Sequence, residues 1–119
     1  MRTQLIGKGF HHFRELDSTN AFALRLLAEG DPPEGLVISA DHQRAGRGQQ
    51  GSSWEGAAGQ NLCLSAILYP RFLPADRLFL LSQAVALAAS DLAATALGEP
   101  AFIKWPNDLI LRRRKLGGI

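Results

Sequence analysis

The sequence predicts a mixed α+β fold, in which two helices pack against a sheet. Two segments, 19–29 and 74–97, carry apolar residues at helical spacing, and each is followed by a glycine. A third segment, 61–69, alternates residue by residue as a half-buried strand does. Hydrophobic residues make up 46% of the 119 residues and charged residues 20%, which is typical of a soluble globular domain and excludes disordered or low-complexity chains.

The first half of the chain is predicted to contain three strands, one helix and a long loop. Asp17-Ser18-Thr19-Asn20 offers N-cap side chains for the helix, and Gly30 with Pro32-Pro33 ends it. Five glycines between residues 43 and 60 indicate a loop of a length that is usually functional. The predicted elements are strand His11–Leu16, helix Thr19–Glu29, strand Leu36–Ala40, loop 43–60 and strand Asn61–Tyr69.

The second half is predicted to hold a longer helix and three short strands. Pro74 opens the helix, Gly98 and Pro100 close it, and apolar side chains three and four residues apart predict its buried face. That stripe consists of Leu78, Leu81, Val85, Ala88, Leu92 and Ala96. The predicted strands are Ala101–Trp105, Leu109–Leu111 and Lys115–Ile119, with Arg112–Arg114 at a hairpin tip.

Several features bear on the location and extent of the chain. Polar residues interrupt the apolar stretch Leu78–Leu97, so a buried helix is predicted there rather than a membrane span. No apolar leader stands at the N-terminus, and a single cysteine cannot form an internal disulfide, so we expect a cytoplasmic protein. Because the last strand stops inside an apolar hairpin, we expect residues 1–119 to be one portion of a larger domain.

The glycine-rich loop is the first candidate site. Gly46-Arg47-Gly48-Gln49-Gln50-Gly51 matches a dinucleotide-binding pattern by letter, but no amphipathic helix begins at its last glycine, which excludes that function. Glycines let backbone N–H groups approach an anion closely, and Arg47 adds a fixed cation. The loop therefore indicates either a phosphate or carboxylate site or a flexible surface loop.

Two clusters near the C-terminus are the other candidates. Lys104-Trp105-Pro106-Asn107-Asp108 is either a ligand-binding turn or an Asx-type turn with Trp105 in the core. Lys115, before Gly117-Gly118, either points into a cleft or ends a solvated basic hairpin. The three histidines and Cys63 lack the spacing of metal ligands, so the sequence alone predicts no metal site. The net charge of +2 is too small for a protein that coats DNA.

Together these segments resemble the biotin protein ligases, that is, the biotin–[acetyl-CoA-carboxylase] ligases. The resemblance extends from Phe13 to Ile119 and implies a fold similar to the catalytic domain of class II aminoacyl-tRNA synthetases, with helices on one face of a mixed sheet. Residues 1–119 would be its N-terminal portion, without the remainder and a small C-terminal domain. The segments that carry it are Asp17-Ser18-Thr19-Asn20, Asp41-His42-Gln43-Arg44-Ala45-Gly46-Arg47-Gly48, Gly51, Trp54, Gly59-Gln60-Asn61-Leu62, Ser65, Lys104-Trp105-Pro106-Asn107-Asp108 and Lys115-Leu116-Gly117-Gly118-Ile119.

The resemblance also implies an activity and the residues that perform it. Biotin would be activated with ATP and Mg²⁺ to biotinyl-5′-AMP, then transferred to a lysine of a biotin carboxyl carrier protein. Arg47 and Lys115 would be catalytic, since positive charge is needed where the carboxylate meets the α-phosphate. Asn107 would face the adenine, and Asp108 the phosphates or their metal ion. The full implied binding set for biotin and the adenylate is Ser18, Thr19, Asn20, Gln43, Gly46, Arg47, Gly48, Gln49, Trp54, Lys104, Asn107, Asp108, Lys115 and Gly117.

The sequence departs from the family pattern at two places. Gln49 and Gln50 stand where many members carry arginines, which we expect to alter retention of the intermediate. No winged-helix segment precedes the first strand, so DNA is not an expected partner. A membrane is not expected either, because polar residues interrupt the apolar stretch Leu78–Leu97, and a homodimer stays open. Two alternatives also stay open: a lipoate or octanoyl transferase-like enzyme, against which Lys104-Trp105-Pro106-Asn107-Asp108 argues, and a truncated, non-catalytic relative that binds a ligand or partner.

Overall fold

The computed structural model describes residues 4–48 and 51–119, and these form two compact units, Met1–Tyr69 and Pro70–Ile119. Its helices and short strands make an α+β fold, which confirms the predicted fold class. The strands belong to separate small sheets rather than to the one sheet that the sequence predicted.

The first unit is built on a mixed three-stranded sheet. Its elements are β1 (Phe10–Leu16), α1 (Thr19–Glu29), β2 (Val37–Gln43), β3 (Gly46–Arg47), β4 (Ser53–Trp54) and β5 (Cys63–Ala66). The strand order of the sheet is β1-β2-β5. Strands β1 and β2 are parallel, and helix α1 makes the crossover that a parallel pair requires. Strand β5 then pairs antiparallel with β2.

Helix α1 has the bounds that its local sequence predicts. Ser18 is the N-cap, with extended backbone and a side chain that accepts a hydrogen bond from the Ala21 N–H at 3.3 Å. At the other end the Gly30 N–H donates to the Leu26 carbonyl at 3.1 Å. Both caps satisfy backbone groups that a helix end leaves unpaired, so the helix is positioned by residues next to it in the chain.

The core of the first unit lies between α1 and the sheet. Ile38, near the start of the middle strand β2, is fully buried, and the rings of Phe13 and Phe22 meet at 4.9 Å between centroids. Burying one such aliphatic side chain stabilises the fold by about 1.5–3 kcal/mol. The cluster comprises Ala23, Leu36, Ile38 and Ile67, with Phe13, Leu16, Phe22, Leu26 and Tyr69 packed against it.

One prediction for this unit needs correction. The segment predicted as an irregular loop contains the β3–β4 hairpin, in which Gly46 pairs with Trp54. In the segment 61–69 the alternation is present, but its leucines are on the open face: Leu62 is 78% exposed, whereas Ile67 is 3% exposed. The inward face carries Cys63 and Ser65. The half-buried side chains of this strand are therefore small ones next to the candidate site, and its leucines do not fill the core.

The second unit is a helix followed by an antiparallel three-stranded sheet in the order β6-β7-β8. Arg112 and Arg113 form the β7–β8 turn with left-handed φ values of 48° and 64°, as the predicted hairpin tip requires. Arg112 is anchored there by Glu99 at 2.7 Å. After a 3₁₀ turn at Ala75–Arg77, the elements are α2 (Phe79–Leu97), β6 (Phe102–Lys104), β7 (Asp108–Leu111) and β8 (Arg114–Gly118).

Helix α2 buries a different face from the predicted leucine stripe. Ala86 is buried, Ser90 and Ala93 are half-buried on the same face, and the Ser90 hydroxyl donates to the Ala101 carbonyl at 2.8 Å. Leu92, a member of the predicted stripe, is 66% exposed. The prediction of a buried helix is therefore wrong for most of its surface. Small side chains permit the closest approach of the backbone, and they decide which face is covered.

By length and composition alone, the helical stretch Ala75–Leu97 is long and apolar enough to cross a membrane, with a mean hydropathy of 1.5. One such helix is weak evidence, because the core helix of a soluble protein can have the same length and composition. The absence of a membrane partner stays a prediction.

Candidate functional site

A buried polar cluster joins the start of α1 to the ends of two strands. The Thr19 side chain, on a residue only 3% exposed, lies between Gln43 at the end of β2 and Ser65 on β5. Gln43 Oε1 accepts from the Thr19 backbone N–H at 2.8 Å and from the Thr19 hydroxyl at 3.1 Å. The Thr19 and Ser65 hydroxyl oxygens are 2.9 Å apart. Three segments distant in sequence are thus tied at one point.

Ser18 and Asn20 flank this cluster at the helix N-terminus. The Ser18 oxygen accepts the capping hydrogen bond from Ala21, which leaves its hydroxyl proton available to a ligand. Asn20 is exposed one residue further on. The structure therefore brings Ser18, Thr19 and Gln43 together, as the sequence predicts, with Asn20 next to them.

The β3–β4 hairpin closes against Gln43. A Cβ atom placed on Gly46 would lie 2.6 Å from the Trp54 carbonyl oxygen and 2.9 Å from Gln43 Nε2, so glycine is required for this approach. Trp54 and Gln43 also line a cavity with Cys63 and Asn61. The hairpin thus forms one wall of the site.

Arg47 and Gly48 extend the hairpin outward, and both are exposed. The Gly48 N–H donates to the Ser52 carbonyl at 2.6 Å. Within residues 4–48 and 51–119, Arg47 makes no ion pair, so its guanidinium is available to an anion. Gln49, predicted as a contact, lies outside the described residues, as does Gln50.

A pair of acidic residues holds the neighbouring Arg44 in place. Its guanidinium binds Asp17 at 2.8 Å and Glu15 at 3.4 Å, while the backbone N–H groups of Arg44 and Ala45 donate to Leu16 and Asp17 carbonyls. These contacts hold the segment just before Ser18 against the residues that precede the hairpin. Arg44 is therefore a structural cation, in contrast to Arg47.

The second unit places Lys115 and Asp108 together. The Lys115 Nζ lies 2.9 Å from Asp108 Oδ1, and both residues are on the β7–β8 pair. The register shifts between Leu109 and Ile110, which pair with Gly117 and Lys115, so Leu116 is the extra residue of a bulge. The bulge, next to Gly117, sets the direction of the lysine that the sequence singles out.

The remaining predicted residues surround the β6–β7 turn. Lys104 is exposed and pairs with Asp108 in the sheet register. Asn107 donates through Nδ2 to the Ile119 carbonyl at 3.2 Å. Trp105 is 66% exposed and packs edge-on against Phe79, which rules out the alternative that buries it in the core.

Sequence reasoning assigned no role to the contacts made by Ser65, Arg44 and the histidines. His12 bonds the Ser39 hydroxyl at 2.8 Å and Asp41 at 3.3 Å, but Ser39 is 5% exposed, so this serine is not accessible as a nucleophile. Cys63 is half-buried, and burial raises the pKa of its thiol, as a packed structural cysteine requires. Residue types alone gave no signal for these contacts because each crosses between strands.

The described part of the chain contains no group of three His, Cys, Asp or Glu side chains that could hold a metal ion. Asp108 is a single carboxylate. A magnesium ion and a role for Asp108 in holding it stay predictions.

A helix N-terminus, a strand end and a glycine-rich hairpin converging on a polar pocket define a small-molecule-binding α+β domain. The family model of the Biotin/lipoate A/B protein ligase family matches residues 12–119. The chain belongs to this family.

Individual relatives agree with that assignment. The chain is 38% identical to the biotin–[acetyl-CoA-carboxylase] ligase of Mycobacterium tuberculosis, over 100% of this chain and 48% of that protein. It is 41% identical to the corresponding ligase of Paracoccus denitrificans, over 87% of this chain and 42% of that protein. The chain thus spans slightly under half the length of these relatives.

Solved structures give the same picture. The biotin protein ligase of Aquifex aeolicus in complex with biotin and ATP superposes with a TM-score of 0.74 at 29% identity, covering 93% of this chain and 45% of that one. The biotin acetyl coenzyme A carboxylase synthetase of Helicobacter pylori, with bound biotinylated ATP, has a TM-score of 0.71 at 30% identity, covering 92% and 52%.

Proposed function

We propose that this chain carries the biotin- and nucleotide-binding part of an ATP-dependent biotin–protein ligase. The observation that supports it best is the Thr19–Gln43–Ser65 cluster beside the Gly46–Trp54 hairpin. A part-buried polar cluster that is held by internal hydrogen bonds, next to a small cavity, fits the polar head of a compact ligand. Relatives bound to biotin, ATP or their conjugate support the same ligand class.

The first half-reaction would join biotin to AMP. A carboxylate oxygen of biotin attacks the α-phosphorus of ATP, the bond from that phosphorus to the bridging oxygen breaks, and pyrophosphate leaves. Two anions must meet, so fixed cations stabilise the transition state. Arg47 would supply one and Lys115 the other, with Asp108 orienting the Lys115 ammonium. Bound with the phosphates, Mg²⁺ would neutralise their charge.

The remaining predicted contacts complete the site. Ser18, Asn20 and Gln43 would contact the biotin head, while Gly46, Gly48 and Gln49 would let the hairpin close over the adenylate and exclude water. Trp54 would form the wall. On the nucleotide side, Asn107 would face the adenine, with Lys104 and Gly117 beside the phosphates.

The second half-reaction would modify a carrier protein. The lysine nitrogen of a biotin carboxyl carrier domain attacks the acyl carbon, AMP leaves, and the amine releases a proton to solvent. We keep as predictions a cytoplasmic location, the lack of DNA binding, and a monomer or homodimer as the active form.

Pyrophosphate exchange tests the proposal. Purified chain is mixed with biotin, ATP, Mg²⁺ and labelled pyrophosphate, and label appearing in ATP supports adenylation. The same assay with lipoate or octanoate in place of biotin separates the two branches of the family. Biotin binding without exchange would identify a non-catalytic binder, and no binding of any of these acids would refute the proposal.

A further inference from the structure

We propose that Ser65 is a positioning residue, which acts through Thr19 to fix the direction in which the Gln43 side-chain amide faces a ligand. No role toward a ligand has been assigned above to Ser65, and no direction to the Gln43 amide. The inference rests on the proposed function for the identity of the ligand, but the geometry that carries it lies within the first unit.

The orientation of the Gln43 amide follows from the donors around it. The Thr19 backbone N–H can only donate, and it is 2.8 Å from the Gln43 side-chain oxygen. That atom must therefore be Oε1 and not nitrogen. The Thr19 hydroxyl donates to the same oxygen at 3.1 Å. With Oε1 accepting two hydrogen bonds, the amide is held from one side only.

The direction of the next hydrogen bond follows in turn. Thr19 has one hydroxyl proton, and both of its side-chain contacts can be hydrogen bonds only if that proton goes to Gln43 Oε1, which cannot donate. The 2.9 Å contact with Ser65 must then be donated by Ser65. Ser65, Thr19 and Gln43 thus form a chain of donors that all point the same way, and such chains strengthen each bond. Thr19 is 3% exposed, so water cannot replace the Ser65 proton at no cost.

As a result, the Gln43 side chain offers a ligand hydrogen-bond donors and not its oxygen. Gln43 Nε2 carries two N–H donors, and no residue in the described ranges accepts from them. Nε2 lies near Gly46, where a Cβ would come within 2.9 Å. The amide therefore presents donors to an acceptor oxygen, such as the carbonyl of a cyclic urea, and disfavours a ligand that offers only N–H groups in its place.

The test compares two ligands in matched variants of the full chain. Ser65→Ala removes the donor, Ser65→Thr keeps a hydroxyl, and Ser39→Ala removes another buried hydroxyl, which bonds His12 outside the chain of donors. Titration calorimetry measures the affinities for biotin and for 2-iminobiotin, at a pH where the ring of 2-iminobiotin is a protonated guanidinium and has no acceptor oxygen. Thermal melting checks that each variant is folded.

We expect Ser65→Ala to weaken biotin binding by about two- to tenfold, the loss of one net hydrogen bond. The affinity of Ser65→Ala for 2-iminobiotin should not fall, because the fixed Nε2 donors disfavour that ligand in the unmodified chain, and Ser65→Thr and Ser39→Ala should bind biotin as the unmodified chain does. Equal losses for both ligands would show a merely structural role and overturn the proposal, as would unchanged biotin affinity in folded Ser65→Ala.

A measurement without ligand separates this proposal from the proposed function. The Gln43 side-chain NH₂ signals in nitrogen-15 NMR should lie away from the shifts of a free glutamine peptide in the unmodified chain and in Ser39→Ala, and should move toward those shifts in Ser65→Ala. Unaffected Gln43 signals would overturn the positioning role even if biotin binds. Failure of the unmodified chain to bind biotin, with the NMR effect present, would refute only the proposed ligand.

Discussion

Gly46→Ala is the substitution for which the structure gives the clearest magnitude. The added methyl would lie 2.6 Å from the Trp54 carbonyl oxygen, 2.9 Å from Gln43 Nε2 and 3.2 Å from the Trp54 Cβ. The glutamine can move, but the carbonyl belongs to β4, so the hairpin backbone must shift. Overpacking of this kind typically costs about 1–3 kcal/mol.

Thermal unfolding followed by circular dichroism measures that cost. For a unit of this size, 1 kcal/mol corresponds to about 4–8 °C in the midpoint temperature, so we expect a fall of roughly 4–24 °C. Biotin affinity should fall as well, because the Gln43 amide is displaced. Gly30→Ala is the matched control: its φ is 178° and nothing lies within 4 Å of the added Cβ. A Gly46→Ala chain that melts and binds as the unmodified chain does would refute the close-approach argument.

Four further predictions concern separate parts of the molecule. Arg47→Ala should lower adenylate formation by the equivalent of about 3–4 kcal/mol in the transition state with unchanged melting, and Arg14→Ala, an exposed arginine on β1, should leave exchange unaltered. Because burial raises the pKa of Cys63, its thiol stays protonated to higher pH, so alkylation by iodoacetamide should begin at higher pH than in a free cysteine peptide; identical profiles would contradict this. Arg44→Ala should lower the free energy of unfolding by less than about 1 kcal/mol, a difference that disappears in 1 M salt. A large, salt-independent loss would contradict the interpretation of these contacts as exposed, screened ion pairs. Sedimentation at rising concentration should show self-association, stronger at high salt, through exposed side chains such as Leu92; a monomer at every concentration and salt level would exclude it.

The sequence was most informative where structure depends on neighbours in the chain. Helix α1 could be predicted to the residue because Ser18 caps it and Gly30 ends it. The hairpin tip was likewise predicted at Arg112–Arg114 from its place between two short apolar runs, and the structure places the turn at Arg112 and Arg113, with Arg114 already in β8. The site segments were recognisable because Gly46 and Lys115 belong to dense local motifs.

What the sequence did not reveal depends on contacts between distant residues. The β3–β4 hairpin requires Trp54 to pair with Gly46, and no local preference indicates that pairing. Ser65 looks like any polar strand residue until it meets Thr19, 46 positions away. On α2, hydropathy favoured the leucines, but Ala86 gives the closest approach and is the residue that the structure buries.

Because Lys115 is paired with Asp108, an anion that binds Lys115 would have to displace the Asp108 carboxylate. A lysine with its charge already balanced at 2.9 Å attracts a passing chloride or acetate weakly, since either would have to compete with a tethered carboxylate. A polyphosphate ester, with several charges and a metal ion that can engage the released Asp108, competes far better. The ion pair would thus select ligands by their charge, and the Lys115 ammonium would become available only when a multiply charged ligand binds.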